Sequence, residues 1–531
     1  MSRTSPPSTE LSDSVPAPSL RPISVLFLAP EDLGNAPKFD GSSPVLHDLN
    51  LDQTFETIKA GREEYDLDSF FLIPPRGVDT VRYRQEVGRD LERQELRTAV
   101  EEFVGEIRSV RKHLDQGRKL SYRYQQASWF LDAAHQYGEA VTRVARQLTA
   151  VGPDSRGMRA FLEHLSIYTA STRFRSLVDE AHQLKSALAQ VTYSLLVKGR
   201  RVTVREYSET PDYSAQVLST FQQFQRGASK DYRVKFDSFA SMNHVEAEIL
   251  ELVANLFPDL FRQLREFPGR HGDFLDPTIR RFEREVQFYL AYREFATTLR
   301  AAGLPFCFPE VTDTSWEVFA RATFDLALAH KLSQSHSAVV VNEFHLQGPE
   351  RIFVVSGPNQ GGKTTFARTV GQLHYLARLG LPVPGEDARL FLCDEIYTHF
   401  EKEEHLETLR GKLQDELVRL HEILARVTER SLVVVNESFT TTTLSDALFL
   451  GREVLNRVIQ ARALCVYVTF IDELSTLGPA TVSMVSTVAP DDPTRRTFKV
   501  VRQPADGKAY ALAIARKYGL TYDDLRGRGS Q

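Results

Sequence analysis

The sequence is poor in cysteine and tryptophan, and it contains no long apolar run. Its three cysteines, Cys307, Cys393 and Cys465, are far apart and show no C-x-x-C spacing. This excludes a disulfide scaffold and a cysteine-rich zinc site, and it favours buried, reduced thiols. No apolar stretch reaches the roughly 18 residues that a membrane span requires, and no secretory leader pattern opens the chain. We therefore expect a cytoplasmic protein with no membrane partner.

The charge balance lacks any global excess of basic residues. The 531 residues carry a formal net charge of −5, with 42% hydrophobic and 25% charged residues. This composition is typical of a globular chain of about two to four domains. A nucleic-acid-binding surface would therefore have to be local.

The first part of the chain is predicted to be largely helical. Residues 1–22 are rich in Ser, Pro and Thr and predict a disordered tail, followed by a short strand at Ile23–Leu28. From about 48 to 310, apolar residues recur at helical spacing. The clearest predicted helices are Thr98–Leu114, Ala127–Leu148, Met158–Leu188 and Thr278–Arg300. One alternating stretch at 202–207 predicts a small β insertion, and we place a domain boundary near 312.

After residue 313 the pattern changes to short apolar strands alternating with helices. Strands are predicted at 352–355, 432–435 and 464–468, and a charged helix at 402–428. Such alternation is typical of an α/β domain with a mostly parallel sheet and helices on both faces. The predicted architecture is thus a helical region over 23–312 and an α/β domain over 313–531.

A glycine-rich motif follows the first of these strands. Gly357, four further residues and Gly362-Lys363-Thr364 match G-x-x-x-x-G-K-[ST], the P-loop pattern of nucleoside triphosphatases. Glycines let backbone N–H groups approach a polyphosphate, and the following helix adds its positive end. Lys363 is expected to reach the β- and γ-phosphates, and Thr364 to offer its hydroxyl to Mg²⁺. The predicted nucleotide-binding residues are Gly357, Pro358, Asn359, Gln360, Gly361, Gly362, Lys363, Thr364 and Thr365.

A second motif ends the next predicted strand. Ser431–Glu437 has the pattern of a buried strand that is followed in P-loop NTPases by Asp and Glu. Here the two residues are Asn436 and Glu437. Asn436 can accept a hydrogen bond from a Mg²⁺-bound water, although it carries no charge for the cation. Glu437 stands where a general base is expected. An ordinary strand end remains the alternative interpretation.

Together these motifs resemble the ATPase domain of the MutS family of DNA mismatch-repair proteins. Gly357–Thr365 is similar to the family's GPNMGGKST, Ser431–Glu437 to SLVLLDE, and Asp394–Phe400 to DRIFTRI. Gly507–Tyr510 resembles part of the closing G-x-S-x-S-Y-G segment. In the helical part, Pro74–Asp79 resembles a stretch of the family's core domain.

The resemblance implies an ATP-dependent protein that acts on DNA. It implies ATP and Mg²⁺ as cofactors, a homodimer with composite nucleotide sites, and double-stranded or branched DNA as a partner. The helical region would form the family's core and lever, with the β insertion as a clamp on DNA. Asn359 would help place the attacking water. The first 50 residues offer no match to the family's N-terminal mismatch-recognition domain.

Several departures from the family pattern make slow hydrolysis the expectation. This chain has Asn436 where the family has an Asp, and Phe470 where the family has the His that senses the γ-phosphate. The family's GRGTST stretch corresponds to Phe439–Leu444. Losing one acid–base or hydrogen-bonding partner costs roughly 10²–10⁴-fold in rate. A nucleotide-gated scaffold that binds ATP without significant hydrolysis and docks a protein partner is therefore the alternative function. Mismatch repair and control of recombination are both open as pathways.

A compact basic turn is the candidate contact with DNA. Lys198, Arg200 and Arg201 surround Gly199, and their nearest acid is Glu206. Contact with phosphates is one interpretation and a solvated turn is the other.

Overall fold

The structure is a computed structural model that describes residues 23–28, 43–75, 77–199, 201–207, 242–401, 411–492 and 495–505. The predicted tail at 1–22 lies outside the described residues. The chain folds as two units, one of Arg89–Glu283 and one that combines Met1–Gly88 with Arg284–Gln531. The predicted boundary near residue 312 stays a prediction.

The unit of Arg89–Glu283 is helical except for one hairpin. Helix α4 (Val78–Glu92) leads into it and α11 (Pro277–Ala301) leads out of it. Between them lie α5 (Gln94–Lys119), α6 (Arg123–Val151), α7 (Arg156–Ala170), α8 (Thr172–Ala189), α9 (His244–Leu256) and α10 (Pro258–His271). Aromatic side chains fill its core: Phe161 stacks on Phe282 with ring centroids 3.6 Å apart, and Phe103 packs against both.

The helix predicted over Met158–Leu188 is wrong as one element, because two helices occupy this stretch. Ser171 between them is extended (φ −68°, ψ 147°), and its hydroxyl accepts a hydrogen bond from the Phe174 N–H. A serine that caps the next helix in this way ends the preceding one, although the apolar spacing continues across it.

The small β insertion is a two-stranded antiparallel hairpin. Strand β2 (Arg201–Glu206) confirms the predicted stretch over 202–206 and pairs with β1 (Tyr193–Lys198), which the sequence pattern did not predict. Gly199 has a left-handed φ of +63° at the turn, which glycine adopts without a steric cost.

In the other unit, residues 23–28 are not the predicted strand. Side chains rather than a neighbouring strand bind this backbone. The Glu285 carboxylate accepts hydrogen bonds from the Ser24 hydroxyl (2.7 Å) and the Val25 N–H (2.8 Å), and the Tyr83 hydroxyl donates to the Ser24 carbonyl (2.6 Å). The short helices α1 (Pro44–Asp48), α2 (Leu51–Lys59) and α3 (Asp68–Leu72) follow.

A six-stranded sheet forms the centre of this unit, and it confirms that a mixed α/β domain follows a helical region. Its order is β10-β11-β12-β7-β13-β14, with all neighbours parallel except β13 and β14. The strands are β7 (Ile352–Ser356), β10 (Ile396–Phe400), β11 (Leu432–Asn436), β12 (Leu464–Val468), β13 (Thr481–Val488) and β14 (Arg496–Arg502). Three of them confirm the predicted strands.

Alternate residues of the central strands face opposite sides of the sheet. Ile352 and Val354 belong to a core with α14 (Lys412–Leu424) and α15 (Leu444–Ala461), whereas Phe353 packs edge to face on Phe366 of α13 (Lys363–Leu379). Both faces are therefore covered by helices, which explains why these strands are apolar throughout. The predicted helix at 402–428 corresponds to α14, and 402–410 lie outside the described residues.

A second sheet of order β4-β9-β5-β6 was not predicted. It consists of β4 (Glu310–Thr312), β5 (Val318–Thr323), β6 (Asn342–Leu346) and β9 (Asp387–Phe391), while β3 (Phe306–Cys307) pairs with β8 (Val383–Pro384). Helix α12 (Leu326–Gln334) follows β5. These strands are short and partly polar, so their periodicity is weak. In the described parts of the chain, no helix has the length and apolarity that crossing a membrane would take.

Candidate nucleotide site

The glycine-rich motif forms the connection between strand β7 and helix α13. Strand β7 ends at Ser356, and α13 begins at Lys363. Three residues of the connection have left-handed backbones: Gly357 (φ +112°), Gln360 (φ +58°) and Gly362 (φ +97°). Alternation of backbone handedness turns successive N–H groups toward one side, which creates a concave site for an anion.

The glycines are required by close contacts with strand β13. A Cβ atom on Gly357 would lie 2.7 Å from the Ser486 carbonyl oxygen, and one on Gly361 would lie 2.2 Å from the Ser486 hydroxyl. That hydroxyl donates a 2.6 Å hydrogen bond to the Gly361 carbonyl. Strand β13 therefore packs directly against the loop. A larger residue at Gly357 or Gly361 would push the loop away from this strand.

The first turn of α13 is open for a ligand. Gly362 is its N-cap, and no side chain caps the helix. The first N–H groups of a helix have no partner within it and carry its partial positive charge. Thr364 and Thr365 in this turn are half-buried. This donor set fits the phosphates of a nucleotide.

Lys363 is buried and held between three acceptors. It is 3% exposed, and its Nζ donates to the Gly357 carbonyl (3.0 Å) and to Asn359 Oδ1 (3.2 Å). Its Nζ also lies 3.3 Å from Glu437 Oε1. The structure thus brings together four residues that were predicted from two separate motifs.

The end of strand β11 provides the second side of the site. Asn436 is 9% exposed, and its Oδ1 has no hydrogen-bond partner among the described residues. Glu437 follows with a left-handed φ of +51°, and its N–H donates to the Val468 carbonyl (3.1 Å). A non-glycine residue in this conformation is strained, and such strain concentrates at functional sites. A buried carbonyl oxygen without a partner is suited to a cation or its bound water.

The parallel register places these strand ends at one edge of the sheet. Asn436 is opposite Val468 of β12, and Val468 is opposite Val355 of β7. The carboxyl ends of parallel strands are the usual place for a ligand in α/β folds. Mg²⁺ would find the Thr364 hydroxyl and the Asn436 amide oxygen here, which fits its preference for oxygen ligands.

The residues after β11 and β12 differ in exposure. Phe470, at the expected position of a histidine, is 47% exposed, whereas the neighbouring Thr469 is buried. Phe439 has a φ of +64°, and its N–H donates to Glu416 Oε2 at 3.0 Å. Burial raises the pKa of the Glu416 carboxyl. This contact anchors the turn that follows Glu437.

Three residues that touch the loop were not predicted. The Ser486 hydroxyl donates to the Gly361 carbonyl, the Arg496 guanidinium donates to the Asn359 carbonyl (3.2 Å), and Phe498 lies beside Gly362. They come from β13 and β14, more than a hundred residues after the loop. No motif marks them, because only the pairing of β13 with β7 brings them near.

The other predicted segments give a mixed result. Lys198 and Arg201 are exposed and opposite each other in the hairpin, in the other unit, and Arg200 lies outside the described residues. Gly507–Tyr510 also lies outside them. The described residues contain no cluster of His, Cys, Asp or Glu able to hold a metal ion.

The fold and this edge of the sheet define a class: a helical region followed by a mixed α/β domain whose glycine-rich loop faces an Asn–Glu strand end. Residues 353–523 match the family model of MutS domain V. Together with the curated relatives, this match supports a MutS-family protein.

Curated relatives match part of the chain at modest identity. Endonuclease MutS2 of Gemmatimonas aurantiaca is 31% identical over 35% of this chain and 23% of the relative. DNA mismatch repair protein MutS of Erythrobacter litoralis is 29% identical over 42% of this chain and 26% of the relative. Endonuclease MutS2 of Thermus thermophilus is 30% identical over 35% and 25%. The matches thus cover about a quarter of each relative's length.

Proposed function

We propose that this protein binds Mg²⁺–ATP at the site around Lys363 and hydrolyses it slowly, with a P-loop NTPase fold over 313–531. The observation that carries this proposal is the position of Lys363 between Gly357, Asn359 and Glu437, beside an uncapped helix N-terminus. The match to MutS domain V supports ATP as the ligand.

Each residue has a defined part in this proposal. The loop N–H groups and Lys363 would hold the phosphates. Phosphate oxygens would then replace the protein acceptors that now surround the Lys363 Nζ. Mg²⁺ would be held by Thr364 and, through a water, by Asn436; when bound, it neutralises phosphate charge. Glu437 would orient and deprotonate the attacking water, with Asn359 helping to place it.

Hydrolysis is proposed to be slow because two polar groups of the family pattern are missing. Asn436 supplies no negative charge to the cation, and Phe470 supplies no hydrogen bond near the γ-phosphate. Glu437 remains, so turnover should be reduced rather than abolished.

We further propose that the nucleotide state controls DNA binding in mismatch repair or recombination, through a homodimer. The names of the curated relatives support the process. The helical region over 23–312, taken as core and lever, would carry the DNA contact at Lys198, Arg200 and Arg201. Its DNA partner would be double-stranded or branched.

Steady-state ATP turnover tests the enzymatic part. Wild type, Lys363→Ala and Glu437→Ala are compared with and without duplex and branched DNA. Turnover that requires both residues and changes with DNA supports the proposal. ATP binding that is lost in Lys363→Ala, with no turnover under any condition, would instead support the scaffold function.

Salt-dependent DNA binding tests the nucleic-acid part. Replacing Lys198 and Arg201 together by Gln removes two phosphate contacts, which should lower the slope of log K against log salt by about 2. The matched control replaces Arg159 and Arg175, two exposed arginines of α7 and α8, by Gln. ATP-bound protein without salt-sensitive binding to duplex, junction or single-stranded probes would contradict a DNA-binding function.

The scaffold alternative has a specific observation in its favour. Leu444, Phe449 and Phe470 are large apolar side chains that are 63%, 70% and 47% exposed. Exposed apolar side chains on elements that follow β11 and β12 are suited to a protein partner, which includes a second copy of this chain.

A further inference from the structure

The helical unit of Arg89–Glu283 contains an open cleft that the proposed function does not use. The end of α5, the start of α6, helix α10 and the start of α11 enclose about 590 Å³. This volume lies in the range of small-molecule sites, roughly 300–1,000 Å³. All its lining residues belong to this one unit.

The lining of the cleft is strongly basic. Four arginines contribute to it, Arg118, Arg123, Arg265 and Arg280, while Asp273 is its one acidic lining residue among those described. Four guanidinium groups against one carboxylate give the cleft a net positive charge. Because a concave surface concentrates the field of the charges that line it, this charge favours an anionic ligand.

Arg265 and Arg280 differ from the other two arginines of the cleft, because no described acidic group neutralises their charge. Arg118 lies 3.3 Å from Asp115 and Arg123 lies 2.6 Å from Glu251, so these two form ion pairs. No ion pair or side-chain hydrogen bond to a described residue engages Arg265 or Arg280. By contrast, Arg262 and Arg270, which lie on α10 with Arg265, form ion pairs with Asp259 and Glu180, respectively. Unpaired guanidinium groups in a cleft are available for a ligand's phosphate.

The cleft also has an apolar aromatic part. Phe130 and Phe274 line it with ring centroids 5.3 Å apart, and Phe130 is only half-buried. A purely inorganic anion would not use this surface. A planar ring carried by the ligand would pack on Phe130 or on a guanidinium plane, as bases do in protein sites.

We propose that this cleft binds a phosphorylated nucleotide unit, with its phosphates on Arg265 and Arg280 and its base against Phe130. The unit can come from a free mononucleotide or from the phosphorylated end of a nucleic acid strand. The site is separate from the loop at Lys363 and would exist whether or not that loop binds ATP.

Calorimetric titration of the Lys363→Ala full-length protein tests this proposal, because that background removes the loop's key phosphate contact. The probes are ADP, inorganic pyrophosphate and adenosine. ADP should bind most tightly, and its affinity should fall as salt rises. Absence of ADP binding at millimolar concentration, or ADP binding no tighter than pyrophosphate, would overturn the nucleotide assignment.

Paired arginine variants locate the binding. Arg265→Gln and Arg280→Gln should each weaken ADP binding about three- to tenfold, because these exposed contacts are partly screened by solvent. Arg262→Gln is the matched control, since it lies one turn earlier on α10 and does not line the cleft. Equal losses in the control, or no loss in Arg265→Gln and Arg280→Gln, would refute the site.

Competition then identifies the source of the ligand. A single strand with a 5′-phosphate and the same strand with a 5′-hydroxyl are added to the ADP complex. Displacement by the phosphorylated strand alone supports the site and assigns a strand end to it. Displacement by neither supports the site with a free nucleotide, and equal displacement by both would overturn end recognition.

Discussion

Replacing Lys363 by Met should separate nucleotide binding from folding. Methionine keeps most of the side-chain length and apolar stem but removes the charge. In the complex, the ammonium would form charge-assisted hydrogen bonds with phosphate oxygens, so their loss should cost about 2–4 kcal/mol. This corresponds to a roughly 30- to 1,000-fold increase in the Kd for ATP.

The stability of the free protein should change much less. Lys363 Nζ lies 3.3 Å from Glu437 Oε1, but the Glu437 side chain is 32% exposed and can be hydrated when the lysine is removed. We therefore expect a change of only about 1 kcal/mol in the free energy of unfolding. The variant should remain folded, which makes its binding defect interpretable.

Denaturation with and without Mg²⁺–ATP measures both quantities. At an ATP concentration 100 times the wild-type Kd, ATP should stabilise wild type by about 2.7 kcal/mol. If the variant's Kd is 100-fold higher, the same ATP concentration should stabilise it by only about 0.4 kcal/mol. Lys331→Met, which changes an exposed lysine of α12, is the control and should behave as wild type. An ATP affinity of Lys363→Met within threefold of wild type would refute this account of the site.

Three further predictions concern the surroundings of the site and the core. Asn436→Asp should raise Mg²⁺-dependent turnover about 100-fold, because a charged ligand replaces a neutral one; unchanged turnover would argue for the scaffold function. Gly361→Ala should weaken ATP binding about tenfold, because its Cβ would meet the Ser486 hydroxyl at 2.2 Å, and adding Ser486→Gly should recover part of the loss in the same titration. Burial lowers the pKa of His374 to about 4, so the unfolded chain binds the extra proton below about pH 6.5, and stability should fall by about 3 kcal/mol as pH drops from 6.5 to 4. His374→Phe should lose less stability over this range in denaturation at the two pH values, and an equal loss would contradict this assignment.

The conformation of the glycine-rich loop could be predicted from sequence because it depends on local residue properties. Gly357 and Gly362 adopt backbones that glycine tolerates best, and Lys363 begins a helix directly after an apolar strand. The Asn436–Glu437 pair could likewise be located from sequence, because it follows a run of apolar residues. Apolar runs of this kind predict buried parallel strands, and three of these were confirmed.

Other elements could not be predicted because their signals are weak or non-local. Strand β1 has exposed apolar residues without a clear alternation, and Ser171 breaks a helix whose apolar spacing continues. Residues 23–28 have strand-like composition, yet Glu285, more than 250 positions away, binds their backbone. Tertiary contacts of this kind override local propensity.

The sequence by itself determined which residues can touch a phosphate, since backbone freedom, a lysine and a helix start are local properties. The tertiary structure decided that Glu437 lies beside Lys363 and that Ser486 supports the loop, because parallel pairing of β11, β12, β7 and β13 brings distant strand ends to one edge. It also decided that Arg265 and Arg280 share a cleft with Arg118 and Arg123. Their charges are unremarkable along the chain, and only helix packing places them around one space where a ligand would meet them together.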